Sequence, residues 1–250
     1  MLHSLPDFNF LAFVFFATIC SYSFHWYLTP DIITITSSRL KWLEKNRNVH
    51  AILFLAGLIG AFIYSLFLIK KWPWLLFSVF VTFLYSAPKI PHPFFRSLRK
   101  FALGKTVFLA FSWMYVTTIL PIKVSGHEWQ NDFYIFAASR FFFIYAICIL
   151  FDYRDREYDR SIGIRSLITW LNERGIANLF AFSLFLFALS TLLMLRYDYD
   201  YLTISILFVP GIIVAILYKI ATKNFSDTLY YFVLDGLMAL SSLLTLLPGI

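Results

Sequence analysis

The sequence predicts an all-α membrane protein, a bundle of about eight transmembrane helices formed by a single domain over residues 1–250. Hydrophobic residues make up 60% of the 250 residues and only 14% are charged, which is more apolar surface than a soluble domain of this size needs. The apolar residues also fall in runs of about 20, the length of helix that crosses a hydrocarbon layer of ~30 Å. Short polar stretches separate these runs and hold most of the charge.

The predicted spans occupy most of the chain, which leaves no room for a second, soluble domain. The first span lacks the basic n-region of a signal peptide and is too long to be the apolar h-region of one, so we expect it to remain as a helix. The third is short and begins Trp72-Pro73-Trp74, which favours a start at the membrane interface. In chain order the spans are Phe8–Leu28, His50–Ile69, Trp72–Ala87, Phe101–Ile122, Phe133–Phe151, Gly175–Leu195, Tyr201–Ala221 and Thr228–Leu247.

Positive charge predicts the orientation of the bundle. Most of the 21 Lys and Arg residues lie in loops and span ends on one side, and that side should be cytoplasmic. We therefore expect both termini on the outer side, and a multi-pass protein of the bacterial inner membrane. The net charge of +7 then reflects this topology together with anionic headgroups or substrates, and not nucleic-acid binding.

An acidic segment follows the fifth span directly and is the most informative part of the sequence. On a helix, Asp152, Asp155 and Asp159 fall within about 60° of one face. Carboxylates so placed repel one another, and a bound divalent cation would remove that repulsion. Arg156 and Arg160 flank them, and arginine grips phosphate oxygens with its planar fork. The segment predicts a cytoplasmic site for a metal-bridged diphosphate. On spacing alone, a solvated ladder of ion pairs remains an alternative.

The pattern Asp-x-x-Asp-x-Glu-x-Asp-Arg-x-x-Gly resembles the second aspartate-rich motif of the UbiA superfamily of intramembrane prenyltransferases. The resemblance covers the spacing of the acids, the following Gly163 and the tail Ile164–Leu167. Upstream, the segment Tyr85–Lys89 ends a span, as the family's Tyr-x-x-x-Lys element does. The remaining spans follow the family's order, so the similarity extends over most of the chain.

Resemblance to this family implies a helical bundle around a central cavity that opens to the cytoplasmic side. It implies Mg²⁺-dependent transfer of a prenyl group from a polyprenyl diphosphate to a lipid or aromatic acceptor. Under this interpretation Asp152, Asp155 and Asp159 hold Mg²⁺, and Asp155 and Asp159 are catalytic. The residues implied to act on the diphosphate are Lys89 and Tyr85, assisted by Arg156 and Arg160.

Two departures from the family pattern accompany the resemblance. The chain has one predicted span fewer than the family's usual bundle, at the N-terminal end, so either the natural chain begins before Met1 or a helix has been lost. The family's first motif, Asn-Asp-x-x-Asp-x-x-x-Asp, corresponds here to Ser21–Thr29. In that stretch Tyr22, His25 and Thr29 stand where the carboxylates would be.

The altered first motif leaves several interpretations open. In the first interpretation, His25 is an imidazolium with Tyr22 beside it. It contacts the diphosphate, and the protein is a single-metal enzyme. Alternatively, His25 binds a different metal, or the site is inactive and the chain binds isoprenoid lipid or diphosphate without turnover. A cation-coupled transporter is a further class. The sequence speaks against it, because we find no internal repeat and no matching pair of broken helices.

Two further features of the spans concern their interior. Arg140 and Asp235 lie inside predicted spans, where isolated charges are costly and usually paired. We predict that they pair with each other; the alternative is that Asp235 lines the cavity and titrates.

The 30 Phe and 15 Tyr residues either pack against lipid or line a cavity in which cation–π contacts stabilise a carbocation.

Overall fold

A computed structural model describes residues 7–28, 45–87, 90, 92, 95, 105–161 and 166–244. Within these residues the chain forms helices and connecting turns and contains no strand, which confirms the all-α class. Six of the described helices are long and apolar enough to cross a membrane, judged by length and composition. The predictions for Thr29, Lys89 and Gly163 fall outside the described residues.

The N-terminal part of the described chain contains three helices. Asp7 begins the first by accepting the backbone N–H of Asn9, and Pro73 lies in the first turn of the third, where a missing N–H does no harm. The helices are α1 (Phe8–Tyr27), α2 (Arg47–Phe67) and α3 (Trp72–Ser86), with a 3₁₀ turn at Ile69–Lys71 before α3.

Seven helical segments follow in the rest of the described chain. Ser166, Asn172 and Asp200 cap three of them by accepting a backbone N–H three residues later. The segments are α4 (Lys105–Met114), α5 (Leu120–Ser125), α6 (Asn131–Ser161), α7 (Leu167–Trp170), α8 (Glu173–Leu193), α9 (Tyr201–Ala221) and α10 (Asp235–Leu244). A π-helical turn at Tyr115–Ile119 joins α4 to α5, and another at Leu229–Leu234 leads into α10.

The predicted spans agree with the observed helices in place and differ from them in length. The third span corresponds to α3, which has 15 residues, and the eighth to the apolar helix Leu229–Leu240. α3 is shorter than a straight crossing requires, and the predicted end of the eighth span, Leu247, lies outside the described residues. The fifth span was predicted to end at Phe151, but α6 continues for 31 residues to Ser161. The acidic motif therefore lies on the last turns of a long helix.

The chain divides into two compact units, residues 1–99 with 120–128, and residues 100–119 with 129–250. In the first unit α1 packs along α2. A Cβ atom added to Gly57 would lie 2.6 Å from the backbone nitrogen of Cys20, so this glycine permits the close approach of the two helices. The prediction that the chain forms one domain stays a prediction.

In the second unit, α6 is the central helix and packs against α4, α8 and α9. Every residue from Phe143 to Leu150 is buried, which is the pattern of a helix surrounded by its neighbours. At its N-terminal end, the buried Asp132 accepts a hydrogen bond of 2.8 Å from the hydroxyl of Tyr199. Burial, together with this carboxylate, raises the pKa of Tyr199 above its usual value. A polar contact thus fixes the N-terminal end of α6 to the turn between α8 and α9.

Arg140 is buried on α6 and makes contacts typical of a charge inside a membrane span. Its Nη2 donates to the carbonyl oxygen of Met238 at 2.7 Å, and its guanidinium lies 5.0 Å from the ring centroid of Phe143. Met238 lies on α10, about one turn beyond Asp235. Arg140 therefore contacts the helix that carries Asp235, while their pairing stays a prediction.

Candidate functional site

The three aspartates of the acidic motif lie on the last turns of α6. Asp152 and Asp159 are buried, at 4% and 3% exposure, whereas the side chain of Asp155 is 43% exposed. Because α6 is one uninterrupted helix, the predicted spacing places them on one face. Of the three, Asp155 has the carboxylate most accessible to a ligand.

Asp152 is tied to the beginning of α4. The hydroxyl of Thr106, itself buried, donates to Oδ2 of Asp152. A buried carboxylate needs such a donor because removing it from water is unfavourable. This hydrogen bond joins α4 to α6, which gives Asp152 a structural contact whether or not it also binds a metal.

Asp155 forms an ion pair with its neighbour Arg154. The Arg154 Nε donates to one carboxylate oxygen at 2.8 Å, and Nη2 approaches the other at 3.4 Å. The same Nη2 donates to the hydroxyl of Tyr231 at 2.8 Å. The guanidinium carbon lies 5.3 Å from the ring centroid of Phe151 and 4.7 Å from those of Tyr230 and Tyr231. Arg154 was not among the residues predicted to act at this site.

Arg156 and Arg160 bind the segment that joins α6 to α8, which we call the connecting segment (Ser166–Glu173). Arg156 donates to the carboxylate of Glu173 and, at 2.6 Å, to the carbonyl oxygen of Leu171. Arg160 donates to the carbonyl oxygen of Thr169 through Nε at 3.1 Å and Nη2 at 2.9 Å. Both arginines hold the connecting segment against α6. Their contact with a diphosphate stays a prediction.

The solvated ladder of ion pairs does not describe the environment of Arg156. Arg156 is 7% exposed, and its guanidinium binds the connecting segment rather than Asp152 or Asp159 among the described residues. Glu173 was not predicted from the sequence to act here, but it accepts hydrogen bonds from both Arg156 and the hydroxyl of Tyr153. An acid directly after the N-cap Asn172 is the signal that identifies it, since a helix N-terminus favours negative charge.

Replacing Arg156 by methionine should destabilise the protein by about 1–3 kcal/mol, because the connecting segment loses charge-assisted hydrogen bonds that Met cannot replace. The measurement is thermal unfolding of the detergent-solubilised protein. Arg174→Met is the matched control, because Arg174 is exposed on the first turn of α8 and its loss should change stability by less than about 0.5 kcal/mol. Equal effects of the two substitutions would contradict the role of Arg156.

In the first unit, the structure brings together His25 and Tyr85, which two separate family motifs had indicated. Nδ1 of His25, near the end of α1, lies within hydrogen-bond distance of Oγ of Ser86, at 3.2 Å. The imidazole stacks on the ring of Tyr85, with centroids 5.0 Å apart and planes inclined by 13°. Tyr22, about one turn earlier, is 44% exposed. Ser86 is buried and had no assigned role; its signal is a small polar residue next to Tyr85 at the end of an apolar span.

The described residues contain no group of three His, Cys, Asp or Glu side chains arranged to hold a metal ion between them. Mg²⁺ does not require such a cage, because it takes one or two carboxylates and completes its shell with phosphate oxygens and water. Asp155 and Asp159 supply hard oxygen donors of this kind, and Asp155 is accessible. The residues present fit a cation that is held jointly with a diphosphate.

The helices and the acidic end of α6 define an all-helical integral membrane protein with a candidate anion-binding or cation-binding site at one end of a central span. The chain matches the model of the UbiA prenyltransferase family over residues 44–243. It belongs to that family, which confirms the resemblance. The match begins after Ser21–Thr29, so the altered first motif lies outside the matched residues. No curated protein and no solved structure matches the chain at a significant level.

Proposed function

We propose that the protein is a Mg²⁺-dependent prenyltransferase that transfers a prenyl group from a polyprenyl diphosphate to a lipid or aromatic acceptor within the membrane. The observation that carries the proposal is the end of α6, where Asp152, Asp155 and Asp159 share one face in a chain of the UbiA family. Family membership supports prenyl transfer, and the acidic face supports a diphosphate bound through a cation.

In this proposal Asp155 and Asp159 are the principal ligands of Mg²⁺, and Asp152 assists while it remains bonded to Thr106. Bound Mg²⁺ would neutralise the diphosphate and stabilise the charge that develops on its leaving oxygen. The exposure of Asp155 supports its contact with the ligand, and the burial of Asp159 supports a fixed position. Lys89, Tyr85, Arg156 and Arg160 would supply further contacts to the phosphates.

His25 would take the place of the carboxylates that the first motif lacks. Ser86 beside Nδ1 and Tyr85 against the ring hold the imidazole in one orientation. As an imidazolium, His25 would donate to a phosphate oxygen, a role that a cation has elsewhere. Tyr22 would be its exposed neighbour on the same helix. These contacts support a single-metal enzyme over one in which His25 binds a different metal.

The proposed orientation places the acidic end of α6 on the cytoplasmic side of a bacterial inner membrane. The excess of Lys and Arg in the loops on that side supports it. Mg²⁺ and soluble phosphorylated metabolites are available there, and the prenyl tail would lie among the aromatic side chains of the spans.

A second candidate function is binding of an isoprenoid diphosphate without turnover. The altered stretch Ser21–Thr29 favours it, because three expected carboxylates are replaced and one expected cation site has no anionic ligands. The arrangement on α6 would still support binding under this alternative.

Purified protein in detergent should release diphosphate from labelled prenyl diphosphates when Mg²⁺ and an acceptor are present. Asp155→Ala should abolish the release, because it removes the accessible carboxylate. Thin-layer separation of labelled products measures it, with acceptors tested one class at a time. Release that survives Asp155→Ala would contradict the metal assignment. Mg²⁺-dependent binding without release would favour the second candidate.

A further inference from the structure

Arg154 contacts the carboxylate that is most accessible to a ligand. Its Nε and Nη2 face the two oxygens of Asp155 at 2.8 and 3.4 Å. The Arg154 side chain is itself 12% exposed, against 43% for Asp155. A cation that binds Asp155 needs at least one of the same oxygens. The guanidinium and the cation would then be two positive charges at one carboxylate, so each weakens the binding of the other.

Other groups would still hold the Arg154 guanidinium after its ion pair with Asp155 has broken. Nη2 donates to the hydroxyl of Tyr231, and the guanidinium packs against the rings of Phe151, Tyr230 and Tyr231. Aromatic faces stabilise a desolvated cation. Nη1 of Arg154 is buried and has no hydrogen-bond partner among the described residues. The guanidinium thus keeps support when the carboxylate leaves, and it retains an unused donor.

We infer that Arg154 is an internal counter-ion that competes with a divalent cation for Asp155 and releases the carboxylate when the cation and a diphosphate bind together. The inference rests on the proposed function, since it takes Asp155 as a cation ligand. Without ligand, the ion pair reduces the repulsion among the three carboxylates. With ligand, the cation takes over that role, and the freed donors of Arg154 match phosphate oxygens.

This arrangement has two consequences. A divalent cation alone must displace Arg154 from Asp155, and only the contacts with Tyr231 and the aromatic rings then support the guanidinium, so the cation binds weakly. A cation with a diphosphate compensates the displaced guanidinium, so the pair binds well. Arg154 would therefore act as a positioning residue. It would disfavour binding of a cation alone relative to binding of a cation together with a diphosphate. Tyr231 lies on the π-helical turn before α10, so the displacement would also alter a contact with the last described helix.

The test measures Mn²⁺ binding to the full chain in detergent by electron paramagnetic resonance of the free ion. For Mn²⁺ alone, Arg154→Gln should tighten binding by about fivefold, because the competing cation is gone. Arg174→Gln removes the same charge from an exposed position on α8 and should change binding by less than about twofold. With saturating inorganic pyrophosphate, the advantage of Arg154→Gln should disappear or reverse. An arginine with a purely structural role would not change Mn²⁺ binding differently in the absence and presence of pyrophosphate.

The inference would be overturned if Arg154→Gln left Mn²⁺ binding unchanged or weaker. If Asp155→Asn abolished binding in the same experiment, the metal assignment would still stand. Mn²⁺ binding that Asp155→Asn leaves unchanged would overturn both the metal assignment and the inference. Size-exclusion chromatography checks that each variant is folded. If Arg154→Gln does not fold, Arg154→Lys keeps the charge but loses the fork. It should tighten Mn²⁺ binding by about twofold, and no tightening would again overturn the inference.

Discussion

Replacing Asp159 by asparagine should lower Mg²⁺-dependent binding of pyrophosphate, and prenyl transfer with it, by about 100-fold or more. The amide has nearly the same shape as the carboxylate, so the packing around this buried side chain is kept. Its negative charge is lost, and losing a direct ligand should exceed the roughly 10–100-fold effect of losing a residue that only orients one. Isothermal titration at fixed Mg²⁺ measures the affinity, and labelled transfer measures the rate.

Asp152→Asn is the control for this prediction. The amide oxygen still accepts from Thr106, so the contact between α4 and α6 is preserved. We expect about a tenfold loss of affinity, smaller than for Asp159, because Thr106 already occupies one oxygen of Asp152. Unchanged binding in Asp159→Asn would contradict the site, and an equal loss in the two variants would contradict the different roles.

The face formed by the aspartates could be predicted because helical periodicity is local. Asp152, Asp155 and Asp159 need only an unbroken helix to share a side, and α6 supplies one to Ser161. The contacts that modify this face could not be predicted in the same way. Arg154 meets Tyr231 across 77 positions of sequence, and nothing local distinguishes Tyr231 from the other tyrosines of the chain.

In the first unit, too, local patterns predicted which residues matter but not which distant residues they contact. His25 and Tyr85 were each singled out by a family pattern, but Nδ1 of His25 meets Ser86 across 61 positions. That meeting depends on how α1 and α3 pack. Arg140 is a further case, because the cost of a buried charge predicted a partner. The sequence does not indicate that the carbonyl oxygen of Met238 is one of its acceptors.

Span ends were predicted well for α3 and α9, and less well where a helix continues into charged residues, as α6 does. Hydropathy placed the end of the fifth span at Phe151, because the following residues are charged. The helix continues because arginine and glutamate are good helix formers and Arg154, Arg156 and Arg160 find partners in the folded chain. Polarity predicts where a helix leaves the hydrocarbon, and backbone hydrogen bonding decides where it ends.

Gly57→Ala should destabilise the first unit by about 1–3 kcal/mol, although alanine favours a helix more than glycine does. An added Cβ would lie 2.6 Å from the nitrogen and 2.9 Å from the Cα of Cys20, and 2.9 Å from the carbonyl oxygen of Phe16. All three are backbone atoms, so no side-chain rotation relieves the contact and α1 must move away from α2. Thermal unfolding of the detergent-solubilised protein measures the change.

Gly236→Ala is the matched control and should act in the opposite direction. A Cβ at Gly236, in the first turn of α10, meets nothing within 4 Å, so only the helix preference remains and stability should rise by about 0.5–1 kcal/mol. Opposite signs for the same chemical change would show that packing of α1 on α2 sets the effect at Gly57. Because α1 carries His25, Gly57→Ala should also weaken pyrophosphate binding under the single-metal proposal. Binding unchanged in a destabilised Gly57→Ala protein would argue that His25 does not contact the diphosphate.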